Sequence, residues 1–207
     1  GHAVTPEAVF TGRLGAEVMI IGQAPGITEV EAGRPFNAGS GRRLFAWLEA
    51  AGWEEDTFRS QQYMTAVTKC YPGKNHSGRG DRVPSKEEQS LCRPFLDREV
   101  ALVRPRLIIP VGGLAIRLFY PARAKLVDVI GTALHFTAKD LNRIDEFDLN
   151  HAQQVTAIPT KMPSSGLWLV PLPHPSGASS WPNMPHNQAL IDRAIGILSQ
   201  LRQEWDL

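Results

Sequence analysis

Three stretches of this chain combine residue types that can do chemistry. His174 stands in Pro173-His174-Pro175-Ser176-Gly177, directly after an apolar run. A lone histidine is usually a surface or packing residue, but one placed directly after a core strand in this setting reads as functional. Ser176 and the Gly177 amide suit a phosphate. The second stretch is Gly22-Gln23-Ala24-Pro25-Gly26, a tight turn whose small residues let backbone amides approach a ligand. The Gln23 amide can orient a water or contact a ligand edge, but an amide cannot act as a general base at neutral pH. The third stretch is cationic: Lys69, Lys74, Arg79, Arg82 and Lys86 are opposed within it only by Asp81. With Pro72 and several glycines it reads as a loop, either a solvated face or one that contacts phosphates. Ser40-Gly41, ahead of a helix that opens at Arg42, adds free amides and a positive dipole end, which also suit a phosphate.

These groups need a scaffold that brings distant loops together. Apolar runs over residues 17–22, 63–69, 107–111 and 167–172 read as buried strands. Helices are expected over residues 42–51, 114–120 and 187–204. A further helix opens at Ser85, whose spacing to Glu88 is that of a capping box, and runs to about Val103. Its buried positions are expected to include Leu91, Phe95, Val100 and Val103. Residues 23–41 read as one long loop. Residues 121–166 are less regular: 127–130 and 134–136 suggest short strands, and 139–154 a polar excursion. Strands alternating with helices imply a three-layer α/β/α sandwich with a central, mainly parallel sheet, in one domain over residues 1–207. In such a sheet the strand carboxyl ends gather at one edge, so the loops at 22–41 and 174–177 are expected to face one site.

Composition constrains the setting. A length of 207 residues, 43% apolar and 21% charged, is that of an ordinary globular domain. No stretch approaches the roughly 20 apolar residues that span a bilayer. The leading residues lack the charged-then-apolar pattern of a signal peptide. Two cysteines do not make a disulfide scaffold, so a reducing cytoplasm is the expected compartment, and a monomer the expected state. The net charge of +1 excludes nothing, because nucleic-acid binding depends on clustering. His2, His76, His135, His151 and His186 show no metal-ligand spacing.

Gly-x-Ala-Pro-Gly, Gly33-Arg34-Pro35-Phe36, Lys69-Cys70 and His174-Pro175-Ser176 occur in that order. Together they resemble the uracil-DNA glycosylase superfamily, most closely the branch whose first motif reads Gly-Glu-Ala-Pro-Gly and whose last reads His-Pro-Ser. The resemblance implies a pocket that takes a nucleotide flipped out of the DNA stack. In it, Gln23 and Ala24 meet the base edge and sugar bond, Phe36 stacks on the base, and His174 contacts a carbonyl oxygen of the leaving base. Ser40, Gly41, Arg42, Lys69, Lys74, Arg79, Arg82, Ser176 and Gly177 become candidate phosphate contacts. Residues 179–184 would push into the duplex, with Trp181 or Met184 as the apolar wedge. The implied activity is a monofunctional DNA glycosylase of base excision repair. It hydrolyses the N-glycosidic bond of uracil or another deaminated or damaged base, with water rather than a lysine as nucleophile.

Two positions depart from that branch. Gln23 replaces its carboxylate. Ala66 replaces the asparagine that selects uracil, and a methyl group cannot tell uracil from cytosine by hydrogen bonds; Asn37 is the candidate to compensate. The alternative is therefore a non-catalytic DNA or damaged-base binding protein on the same fold. The branch also binds an iron–sulfur cluster through four cysteines. Cys70 and Cys92 match two of them, half of a ligand set. No metal or cofactor is expected in the chain as given; the alternative is a cluster completed by an N-terminal cysteine pair outside this sequence.

Overall fold

The computed structural model describes residues 7–78, 80–137, 141–160, 163, 165–177 and 180–207. Strands β1 (Val18–Gly22), β2 (Tyr63–Ala66) and β3 (Leu107–Pro110) are buried at every position. They run parallel to one another, and β6 (Leu167–Leu169) runs parallel to β3. Strand β4 (Ala133–Phe136) is antiparallel to both β6 and β5 (Gln153–Val155), giving a six-stranded mixed sheet in the order β2-β1-β3-β6-β4-β5. Successive strand residues feed two separate cores, because side chains alternate between sheet faces. Val18, Ile20, Leu107, Ile109, Trp168 and Val170 pack against helices α2 (Gly39–Ala50), α3 (Glu55–Gln61) and α7 (Pro185–Trp205). Met19, Ile21, Ile108, Leu134, Leu167 and Leu169 pack instead against α4 (Lys86–Val103) and the short α5 (Gly113–Ile116). Continuous apolar runs are what strands buried on both faces require.

Several expectations are corrected. Residues 23–41 are not one loop: helix α1 (Ile27–Ala32) sits inside them, and α2 starts at Gly39. Gly39 and Gly41 look like loop residues, but Gly41 is needed for contact, since a Cβ there would lie 1.9 Å from the Phe36 carbonyl oxygen. In α4 the capping box forms as expected, with Ser85 accepting from the Glu88 amide. Its buried stripe, however, is Leu96, Val100 and Val103, while Leu91 and Phe95 are 68% and 64% exposed. The stripe is one residue out of phase at its N-terminal half. Residues Leu126–Val129 form a helical turn, α6, rather than a strand. His135 is a core residue stacked on Trp168, with ring centroids 4.6 Å apart.

One polar cluster lies on the α4 side of the sheet. Lys69 follows β2 and is 5% exposed. Its ammonium donates to the Glu99 carboxylate at 2.7 Å, to the Thr65 hydroxyl at 2.7 Å and to the Ala66 carbonyl at 2.8 Å. Burial lowers the Lys69 pKa, and the Glu99 charge opposes that shift. A buried pair of this kind need not stabilise the fold overall, but losing one partner leaves an uncompensated charge. Lys69→Met is therefore expected to cost about 3–5 kcal/mol in urea unfolding. Lys69→Met combined with Glu99→Leu should recover most of that loss.

Candidate functional site

Parallel register sets the carboxyl ends of the strands side by side. Gly22 faces Ala66, Ile21 faces Pro110, and beyond the regular strands Val111 bridges Leu172. The Gly112 amide donates to the Leu172 carbonyl at 2.9 Å, drawing the loop of His174 onto the end of β3. The loops that follow open on one edge, where ligands of α/β sheets bind. They enclose a cavity of about 490 Å³. Gln23, Ala24, Phe36, Ala66 and His174 all line it, and so do Ser40, Arg82 and Ser176. Asn37, Gly41, Arg42, Lys69, Lys74 and Gly177 are not in its wall. Arg79 lies outside the described residues, as does Ser179.

Phe36 is held by its backbone. It adopts a left-handed conformation, φ +52°, which is uncommon for a residue with a side chain. Three contacts impose it. Arg59 of α3 donates to the Pro35 and Phe36 carbonyls at 3.0 and 2.8 Å, while its guanidinium lies over the Phe45 ring and pairs with Glu55. Gly41 lets the first turn of α2 touch the Phe36 carbonyl. The Glu29 carboxylate, buried in the first turn of α1, accepts from the Gly26 amide at 3.0 Å and the Asn37 amide at 3.2 Å. The ring then reaches over Gly22, where a Cβ would meet its Cζ at 2.9 Å. The small size of Gly22 thus makes room for Phe36 rather than for a ligand. Asn37 points away: its carboxamide accepts from Arg34 at 2.7 Å and donates to the Thr28 carbonyl at 3.4 Å. That engagement leaves it outside the cavity that it was expected to serve.

His174 approaches the sheet through Gly112, whose φ of +85° and missing side chain make space for the ring at 3.0 Å. Its Nδ1 accepts from the Ser176 amide at 3.2 Å, so the proton of the neutral ring belongs on Nε2. Burial lowers the pKa of this histidine, which favours that neutral form. The result is an Nε2–H donor without a positive charge.

The cationic stretch is largely paired within the protein. Besides the buried Lys69, Lys74 donates to Asp81 at 2.9 Å, and Arg82 makes a two-pronged contact with Glu88. Arg82 holds the Glu88 carboxyl down to about 2. Among the described residues Arg42 and Lys86 form no ion pair. The α2 N-terminus begins after Ala38, which offers no side-chain cap, so the amides of its first turn are free for an anion beside Ser40. Trp181 packs against the core on the α4 side of the sheet, and Met184 is 45% exposed.

The cysteines do not form a complete ligand set. Cys70 and Cys92 are both half-buried free thiols. Burial first, and Cys92 second, push the Cys70 thiol up. Among the described residues no three His, Cys, Asp or Glu side chains converge as a metal site. These two thiols alone therefore do not fit a four-thiolate cluster.

Four residues of the site escaped the sequence reading: Glu29, Arg59, Asn75 and Asp81. Glu29 carried a signal, since its spacing from Gly26 is that of half a capping box. Asn75 and Asp81 line the cavity from within a loop that was read only for its positive charge. Arg59 gave none, because α3 was not anticipated.

The uracil DNA glycosylase superfamily matches this chain over residues 10–198. A Type-4 uracil-DNA glycosylase of Pyrobaculum aerophilum is 32% identical over 120 residues, 58% of this chain and 56% of its own length. One from Sulfurisphaera tokodaii is 37% identical over 98 residues, 47% of this chain and 40% of its own. One from Thermotoga maritima is 31% identical over 115 residues, 56% and 55% respectively. The chain thus spans about half the length of the curated relatives it matches.

The His174 environment predicts a titration. Its folded pKa is depressed, so the unfolded chain binds the proton more readily. The stability this contributes is complete above the unfolded value of about 6.5 and is lost as pH falls through the folded value. In ¹⁵N-resolved spectra the ring should be the Nε2–H tautomer at pH 7 and titrate with a midpoint below about 6.5. A midpoint above that value would contradict the donor role.

Proposed function

Because the chain belongs to the uracil DNA glycosylase superfamily, we propose that it is a monofunctional DNA glycosylase that removes uracil from DNA. The observation that carries this reading is the convergence of Gln23, Phe36, Ala66 and His174 on one cavity. A flipped base entering there would lie on the Phe36 ring. As the N-glycosidic bond breaks, negative charge gathers on the base, and a neutral Nε2–H aimed at its carbonyl oxygen stabilises that charge. A neutral donor suits the step, because it favours the developing anion without holding the product as an ion pair.

Ala66 gives the edge of the base nothing to pair with. The same reading therefore extends the substrate class to other deaminated bases of similar size. DNA is held, in this proposal, by the free amides of the first turn of α2 with Ser40 and Arg42, and by Ser176 and Gly177. Such contacts position the strand without reading sequence. Met184, exposed beside that loop, is the side chain assigned to the wedge. The reading is that of one catalytic domain.

Excess protein incubated with duplexes carrying uracil, hypoxanthine or xanthine should yield an abasic site from uracil. Measurable binding without abasic product from any of them would favour a non-catalytic binding protein. His174→Ala should slow uracil release about 10²–10³-fold at nearly unchanged affinity, as removal of an oriented donor does. Phe36→Ala should weaken binding by about 1–3 kcal/mol, chiefly on the damaged duplex. Arg42→Gln should weaken intact and damaged duplexes alike and reduce the logarithmic salt slope by about 0.7–0.9.

A further inference from the structure

On the glycosylase reading, one proton has no destination. A water that attacks the sugar must lose a proton, and the Gln23 amide cannot accept it. Two carboxylates line the cavity, Glu29 and Asp81. Glu29 is occupied: one oxygen accepts from the Gly26 amide and the Thr28 hydroxyl, the other from the Asn37 amide. It is also buried in α1, at 8% exposure. Asp81 is arranged differently. Its Oδ1 accepts from the Tyr71 hydroxyl at 3.0 Å and the Lys74 ammonium at 2.9 Å. Its Oδ2 accepts from no described residue. That oxygen lies 3.2 Å from where a Cβ on Gly26 would stand, so it meets the Gly22–Gly26 turn that carries Gln23.

We propose that Asp81 is the general base of this site and that its Oδ2 takes a proton from the attacking water. The inference rests on the glycosylase reading and supplies the step that the reading lacks. The water oxygen forms a bond to C1′ of the sugar while the C1′–N bond breaks, and its electron pair leaves with the base. The Nε2–H of His174 donates to the charge that accumulates there. The proton taken by Asp81 then passes to solvent or to the released base, so the products are an abasic sugar and a neutral base. Tyr71 and Lys74 are positioning residues: by holding Oδ1 they aim Oδ2. Both gain from the arrangement, since hydrogen bonding to Asp81 raises the Lys74 pKa, while burial and that hydrogen bond raise the Tyr71 pKa. The other ionisable groups lining the cavity are Glu29, Arg82 and His174. The arrangement also accounts for Gly26, where a side chain would press on both Glu29 and Asp81.

The test uses excess protein and a uracil-containing duplex, read in a single turnover. Asp81→Asn preserves the shape but cannot take a proton, and should slow release about 10²–10⁴-fold. Its affinity for a duplex carrying 2′-fluoro-deoxyuridine, which resists cleavage, should change less than about three-fold, as expected when a group acts only in the transition state. The wild-type rate should rise with pH on its acid limb, and in Asp81→Asn any limb that remains should follow the His174 titration read separately by NMR. Asp81→Glu should restore part of the rate together with the limb. If Asp81→Asn melts early, the Asp81→Glu profile carries the test. An active wild type beside a full-rate Asp81→Asn overturns this inference and leaves the glycosylase reading intact. So does a loss of rate matched by loss of affinity with the acid limb unchanged. A wild type that releases no base overturns both.

Discussion

The segment between β1 and α2 folds back on itself, and the carboxylate that closes the fold is Glu29. One oxygen takes the amide at the end of the Gly22–Gly26 turn, the other the amide just after Phe36. Without that bridge the two stretches are separate loops that leave a sheet edge in the same general direction. With it, the turn that carries Gln23 and the ring of Phe36 become one continuous wall of the cavity. Buried amides need acceptors, and a charged acceptor satisfies them more strongly than a carbonyl can. Arg59 and Gly41 act on the same segment from outside, one by gripping carbonyls and the other by staying small. The second wall, His174, depends on the register of β3 with β6 and on the missing side chain at Gly112.

The legible part of this protein was the part written in repeated apolar pattern and glycine-marked turns. β1, β2, β3 and the β6 run are fully buried, so their sequences carry little else, and the loops after them could be placed at one edge before any coordinates. The capping box at Ser85 and the long apolar face of α7 were legible for the same reason: each is a local rule at fixed spacing. What was hidden depended on tertiary partners. Lys69 reads as one more cation of a loop, and only Glu99, thirty positions on, turns it inward. Leu91 and Phe95 satisfy a helical period as well as Leu96 does, and the sheet selects one stripe over its neighbour. Gly39 and Gly41 look like loop residues because composition does not say whether a glycine is there for freedom or for room. Asp81 was counted against five cations, although its geometry, not its charge in the sum, is what matters.

The chemistry divides the same way. A motif places a histidine after a strand, but the amide of Ser176 decides which nitrogen keeps its proton, and burial decides that the ring carries no charge. Ala66 is a departure that the fold absorbs easily, since the carbonyl at that position is held by Lys69 and the strand end keeps its geometry. The side chain at this strand end can therefore vary without disturbing the sheet. The cysteines illustrate the reverse. Cys70 and Cys92 are placed by the stretch after β2 and by α4 rather than by any further thiol among the described residues.

Among the described residues that line the cavity, Phe36 alone has its φ in the left-handed region. Conformations of that kind cost about 1–3 kcal/mol when a side chain is present. A glycine at this position would relieve the backbone and delete the ring in the same stroke. Selection for a sturdier fold and selection for an aromatic wall in the cavity thus pull against each other at a single residue. The surrounding scaffold, Glu29, Arg59 and Gly41, is what keeps that conflict settled in favour of the ring.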